Sequence, residues 1–350
     1  MIFYLVTAQH GYTMESYLQN WGRMLAPRIQ VLYYEKLPTI RRLPLGTYIF
    51  SDLERLSPWQ RAAAAQVWDQ LSKAGPGMRL LNHPLLASRR YELLHMLHRL
   101  GRNCFQVIRA TEGRACLRFP VFIREEVEHT GSLTRLLPSE EEVAHALARL
   151  VKRGYDLRDL LVVEFCDTGD TNRTFRKYSA FMVGGQIIPR ELIFSREWVL
   201  KEVDLTTNAM LEADRDYLDQ NPDEPWLRET FRLANIDYGR IDYGIKDNVP
   251  QVWEINTNPF VTLRPVDYKR SDRPRQEQFA SQRMRSAFEA IDSPQASEGV
   301  SISIDPELLE KLPGECLSLS LRRFVHKARY NVSFRGISGV LARRFLAAHN

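Results

Sequence analysis

The chain has 350 residues, 44% hydrophobic and 26% charged, a balance that fits a soluble globular protein of two or three lobes and excludes a disordered or fibrous one. Its 48 basic and 43 acidic residues leave a net charge of +5, which suits anionic small molecules. Without a long basic run, that charge argues only weakly for nucleic acid.

The four cysteines, Cys104, Cys116, Cys166 and Cys316, show no metal-ligand or disulfide spacing, so a reducing cytoplasmic setting is expected. The apolar start, Met1 to Ala8, is short and has no basic leader, so it reads as a first core strand and not a signal peptide. No run approaches the ~20 apolar residues of a membrane span.

Strands are predicted at 1–8, 29–34, 47–50 and 78–81, with helices at 14–25 and 58–73 between them. Alternating strands and helices predict an α/β lobe with a largely parallel sheet. Ligands gather at strand C-terminal ends in such sheets, which makes His10 and Tyr12 either a substrate wall or plain exposed loop residues. A helix over 88–100 stops at Gly101, and strands follow at 105–110 and 119–124.

Residues 125–135 read as a polar loop containing His129, expected to be exposed, and Gly131. Ser139 caps an acidic-then-basic helix to 153, and a strongly apolar strand runs from Leu160 to Phe165. Phe175–Val183 and Gln186–Phe194 form a hairpin around Gly184-Gly185, and 195–235 reads as mostly helical. Beyond 262 the chain turns basic, with Arg264, Lys269, Arg270, Arg273 and Arg275. A helix follows to about 291, then a linker over 293–301 and a basic helical end with an apolar stripe at Leu308, Leu309 and Leu312.

The stretch from Gly239 to Pro259 reads as two strands around a turn at 246–250. Side chains alternate across a strand, so Ile241, Tyr243, Ile245, Trp253 and Ile255 form a core face. The other face carries Arg240, Asp242, Gly244, Val252, Glu254 and Asn256, with Gly244 leaving room. A turn centred on Asn248 sets Asp242 across from Glu254 and Arg240 across from Asn256. Facing carboxylates repel in a plain hairpin and become reasonable around a hard cation such as Mg²⁺. An ordinary solvated strand face is the alternative.

The Arg240-x-Asp242 strand followed by Glu254-Ile-Asn256-Thr-Asn-Pro259 resembles the ATP-grasp superfamily, in particular D-alanine–D-alanine ligase and the glutamate ligases that modify ribosomal proteins. The resemblance covers roughly residues 80–260 and extends over five motifs in order. It implies an α/β ATP-grasp fold, with an N-terminal α/β lobe at 1–84. Nucleotide-binding lobes follow at 85–292 with a hinge near 164–167, and a linker with a helical C-terminal extension occupies 293–350.

By this resemblance Asp242, Glu254 and Asn256 hold Mg²⁺ against ATP, and Arg240 stabilises charge on the transferred phosphoryl. Arg90 and Arg124 bind phosphate, Gly131 lies in the covering loop, and Glu164, Phe165 and Cys166 read adenine. Among Arg176, Lys177 and Arg190, the resemblance favours Arg190 as a further phosphate contact. Asp167 and Asp170 either reach the ribose or form turns. Arg90 and Arg124 stand where the family usually has Lys, and Phe260 stands where Gly often follows the Pro.

The implied activity is an ATP- and Mg²⁺-dependent carboxylate–amine ligase working through an acyl phosphate. Its partners are a small carboxylic acid and an amine or amino-acid acceptor, and a homodimer is compatible with the sequence. A small-molecule kinase and a non-catalytic nucleotide-binding protein are the alternatives. Nucleic-acid association through the basic segment is the least favoured reading.

Overall fold

In the computed structural model the described residues are 1–129, 131–200, 205–263, 273–293 and 298–312. Arg264, Lys269, Arg270 and the tail beyond 312, on which the nucleic-acid reading rests, lie outside them.

The N-terminal lobe is built on β1 (Ile2–Val6), which is buried along its whole length as a strand covered on both faces must be. After it come α1 (Tyr12–Gln19), β2 (Ile29–Tyr33), β3 (Arg42–Pro44), β4 (Thr47–Phe50), α2 (Pro58–Ser72) and β5 (Arg79–Leu81). The sheet order is β2-β1-β4-β5 and every pairing in it is parallel. The α2 start has the capping box its sequence allows, with Ser57 accepting from the Gln60 N–H and Gln60 from the Ser57 N–H. The C-terminal ends of β1 and β4 deliver the loops carrying His10 and Glu54 to one side.

The next lobe contains α3 (Arg90–Arg99), β6 (Val107–Arg109), β7 (Val121–Glu125), α4 (Glu140–Lys152) and β8 (Leu160–Glu164). Its strands are antiparallel, with β8 between β6 and β7. The polar loop after β7 folds back on it through bridges Arg124–Ser132 and Val121–Leu137.

The third group is β9 (Phe175–Val183), β10 (Gln186–Ser195), α5 (Asn208–Gln220), α6 (Glu224–Ala234), β11 (Tyr238–Lys246), β12 (Val249–Asn256), α7 (Arg273–Ile291) and β13 (Gly299–Ser301). Its antiparallel sheet runs β10-β9-β11-β12. Gly184 and Gly185 turn the β9–β10 hairpin at φ 56° and 98°. A Cβ on Gly184 would stand 2.4 Å from Ile291, so only glycine fits there. Asp247 and Asn248, at φ 51° and 61°, make the corresponding two-residue turn between β11 and β12.

Two expectations need correction. The first described helix after β10 begins at Asn208; residues 196–200 are an irregular segment that bends over a cavity. The linker read over 293–301 contains a strand, since Gly299–Ser301 pairs antiparallel with Arg42–Pro44. That pairing brings Ile302, Ile304 and Leu312 onto the N-terminal lobe's core, so residues 298–312 pack on the first lobe. No described helix is long and apolar enough to cross a membrane.

Candidate active site

Arg240 faces Asn256 and Asp242 faces Glu254 as expected, although the turn is not centred on Asn248: Lys246 faces Val249 across a two-residue turn. A bulge follows, so that Tyr243 faces Val252 and Trp253 is the extra residue. The bulge moves Trp253 off the core face and into a cavity, while Val252 takes its place, fully buried. The space over Gly244 is therefore filled: a Cβ there would meet the Trp253 ring at 2.8 Å and Thr168 at 3.3 Å.

The cavity holds about 520 Å³, and Arg124, Gly131, Glu164, Phe165, Cys166, Arg240, Asp242, Glu254 and Asn256 all line it. Arg90 and Arg190 do not. Arg190 is the bulged residue between Pro189 and Glu191, and its buried guanidinium pairs with the fully buried Glu277 of α7 at 2.6 Å. Lys177, from β9, is the hairpin cation that enters the cavity, 3.4 Å from Asp242. Arg176 is held by Asp170 at 2.9 Å.

One end of the cavity is aromatic. Trp198 packs on Phe122 at 4.9 Å and edge-on to Phe165 at 5.6 Å. Trp198 falls within the stretch expected to be helical, and an aromatic heading the short apolar run Trp198-Val199-Leu200 is its only sequence signal. The Glu164 carboxylate is spent on scaffold, accepting from the N–H groups of Gln106 at 3.0 Å and Arg118 at 2.7 Å and from the Arg118 guanidinium at 2.7 Å. The Phe165 N–H donates to the Pro120 carbonyl. Asp167 and Asp170 are occupied within the 167–174 loop, binding its own N–H groups and Arg173 or Arg176.

The other end is ionic. Arg240 donates to both Asp242 oxygens, at 2.9 and 3.3 Å. Glu254 is shared by three cationic groups: Arg90, Arg124 at 3.0 Å and His129 at 3.3 Å. Burial alone would raise the Glu254 pKa, but Arg90, His129 and Arg124 hold it well below the carboxylate range. Burial and the neighbouring Arg90 push Arg124 down to about 10, against the pull of Glu254. Burial lowers and Asp242 raises Arg240, and the net is upward.

His129 is not the exposed loop residue expected. Its Nε2 lies 3.3 Å from Glu54, which joins the N-terminal lobe to the site. Burial lowers the imidazole pKa, but Glu254 and Glu54 outweigh it and raise it. Tyr12 is exposed and packs on Phe260, while His10 lies inward on Thr7 and Asp52.

Asp242, Glu254 and Asn256 offer hard oxygens of the kind Mg²⁺ takes, and Asn256 Oδ1 already accepts from the Asn258 N–H at 2.8 Å. Among the described residues no group of three or more His, Cys, Asp or Glu could hold a metal, and the oxygens offered here are those of two carboxylates and one amide. Two carboxylates and an amide fit a cation that keeps waters and shares phosphate oxygens.

Glu125, at the end of β7, has its pKa raised to about 7 by burial and by the charges of Glu128 and Asp159. Ionising it costs more in the folded chain than in the unfolded one. Its contribution to stability is thus full below its ordinary pKa and lost as pH rises through about 7. Glu125→Gln should raise Tm relative to the parent at pH 8 and give little difference at pH 4.5. Equal gains at both pH values in thermal melts would count against a raised pKa.

No family model and no curated protein matches the chain. Among solved structures it is similar to D-alanine–D-alanine ligase from Bacillus anthracis complexed with ATP, at 14% identity over 81% of this chain and 98% of that one, TM-score 0.43. It is similar to a RimK domain ATP-grasp protein from Sphaerobacter thermophilus, at 13% identity over 82% and 99%, TM-score 0.43. An L-amino acid ligase from Bacillus licheniformis aligns at 10% identity over 73% and 66%, TM-score 0.39.

Proposed function

We propose that this cavity binds ATP and that the protein joins a small carboxylic acid to an amine through an acyl phosphate. The observation that carries the reading is the polarity of one continuous cavity. Its aromatic end, Phe165 with Trp198, suits a flat base, and its far end interleaves Arg124, Lys177 and Arg240 with Asp242 and Glu254. A nucleoside triphosphate has that same division.

The two carboxylates balance the cations around them. An incoming polyphosphate takes over the cations through charge-assisted bonds and releases oxygens of Asp242 and Glu254. Those residues with Asn256 would then hold Mg²⁺, which neutralises charge on phosphate oxygens. Because the Phe165 N–H is committed to Pro120, the Glu164 carbonyl and the Cys166 N–H are the backbone groups left to read the base edge.

A substrate carboxylate oxygen attacks the γ-phosphorus, the bond to the β-bridging oxygen breaks, and ADP leaves with that electron pair. An amine then adds to the acyl carbon and expels phosphate, losing a proton. Arg240 faces the charge that develops in both steps, and Arg124 and Lys177 hold the phosphates in line. The loops at His10 and Glu54 give the acid an approach from the N-terminal lobe.

Turnover of Mg-ATP against a pool of carboxylic and amino acids, with ADP and phosphate followed separately, tests this. ADP release that depends on an acid, with phosphate released once an amine is present, is expected. ADP without free phosphate and with a stable phosphorylated product would mean a kinase.

A further inference from the structure

Arg90 sits in the first turn of α3, and its side chain is almost fully buried. Its Nη1 donates to three carbonyls, that of Glu125 at the end of β7 at 3.1 Å and those of Glu126 and Glu128, the latter at 3.0 Å, in the loop that follows. Its Nη2 donates to Glu254 Oε2 and faces His129 Nδ1 at 3.4 Å. It lines a small cavity with Glu54, Glu126 and Thr257 that adjoins the large one at His129, and Arg90 itself is not part of the large cavity's lining. Arg124 reaches the same Glu254 oxygen from inside the large cavity.

We propose that Arg90 is a positioning residue: it fixes the loop bearing His129 and Gly131, sets the direction of the Glu254 carboxylate, and does not touch the phosphates. The inference rests on the ATP reading above. A phosphate contact needs positive charge, and lysine supplies it as well as arginine. Arg90 instead serves two masters with two nitrogens, the loop carbonyls with one and the carboxylate with the other. A lysine ammonium also has several N–H donors, but they radiate from one point and do not match acceptors set around the two nitrogens of a planar fork. Arginine at this position then follows from geometry.

The test measures ATP and AMP affinity for the parent, Arg90→Lys and Arg90→Gln, in EDTA and in Mg²⁺, with folding checked by thermal melts. In EDTA all three proteins should bind ATP within about threefold of one another, because no phosphate contact is lost. The gain in ATP affinity on adding Mg²⁺ should fall by about tenfold or more in both variants, Lys included, because Glu254 is no longer held in place.

Two results would overturn the proposal. One is Arg90→Lys behaving as the parent in both media. The other is Arg90→Gln losing ATP but not AMP affinity in EDTA, with Lys restoring it. Hydrogen exchange on the parent gives a check that needs no variant. Amides of residues 125–129 should exchange no faster with ATP bound, whereas faster exchange would mean that Arg90 leaves the loop for phosphate. A parent that binds no ATP would sink the cavity reading together with this one; the other contrary results sink this one alone.

Discussion

Glu254→Gln should lower Tm by roughly 5–10 °C and abolish metal-dependent ATP turnover together. Glu254 is the counter-charge for Arg90, Arg124 and His129, and it stands where all three converge. The amide keeps the shape and removes the charge, leaving two buried guanidiniums and an imidazole to face one another. Breaking a buried pair of this kind costs about 3–5 kcal/mol. Added ATP without metal should restore part of the lost Tm, since phosphate oxygens then face Arg124 from the large cavity. Turnover fails for a separate reason: one of the two carboxylates that would hold Mg²⁺ is gone. A variant that melts with the parent would show that the three cations are balanced some other way.

Arg190→Met has the opposite signature. Its guanidinium meets Glu277, whose side chain is fully buried and whose second oxygen accepts the Leu263 N–H at 3.0 Å. Taking that charge from a buried carboxylate should cost about 3 kcal/mol and several degrees of Tm. Because Arg190 lies outside the cavity, ATP affinity should stay within about threefold of the parent. Loss of ATP affinity with little loss of stability would return Arg190 to the role its sequence resemblance favoured.

These two residues also show how much of the molecule is legible in its sequence. The β11–β12 register follows from period-two alternation and a turn of Asp247 and Asn248, two residue types that tolerate positive φ. By itself that two-residue turn would set Asp242 opposite Trp253, and it is the bulge at Trp253 that moves Asp242 opposite Glu254. The bulge at Trp253 depends on how an indole packs against Phe105 and over Gly244, and alternation carries no trace of it.

Cations are harder to place than carboxylate pairs. Arg176, Lys177 and Arg190 all sit on one hairpin, and which one enters the cavity depends on strand face. Lys177 faces in; the bulge at Pro189/Glu191 swings Arg190 toward a helix 87 residues further on. Arg90 illustrates the same limit, since its partners Glu125, Glu126 and Glu128 contribute backbone oxygens that no side-chain pattern reports. Trp198 was lost because 196–200 has helix-compatible residues but is held over the cavity by ring contacts with Phe122 and Phe165.

The central claim is that one cavity takes a purine base at Phe165 and Trp198 and a triphosphate at Arg124, Lys177 and Arg240. Calorimetric titration of Mg-ATP and of AMP into the parent and into Lys177→Met tests it most directly. The account predicts saturable one-to-one binding of ATP, at least about tenfold tighter than AMP, with most of that advantage lost in Lys177→Met. Equal affinity for ATP and AMP, or an ATP preference that survives the loss of Lys177 unchanged, would contradict it.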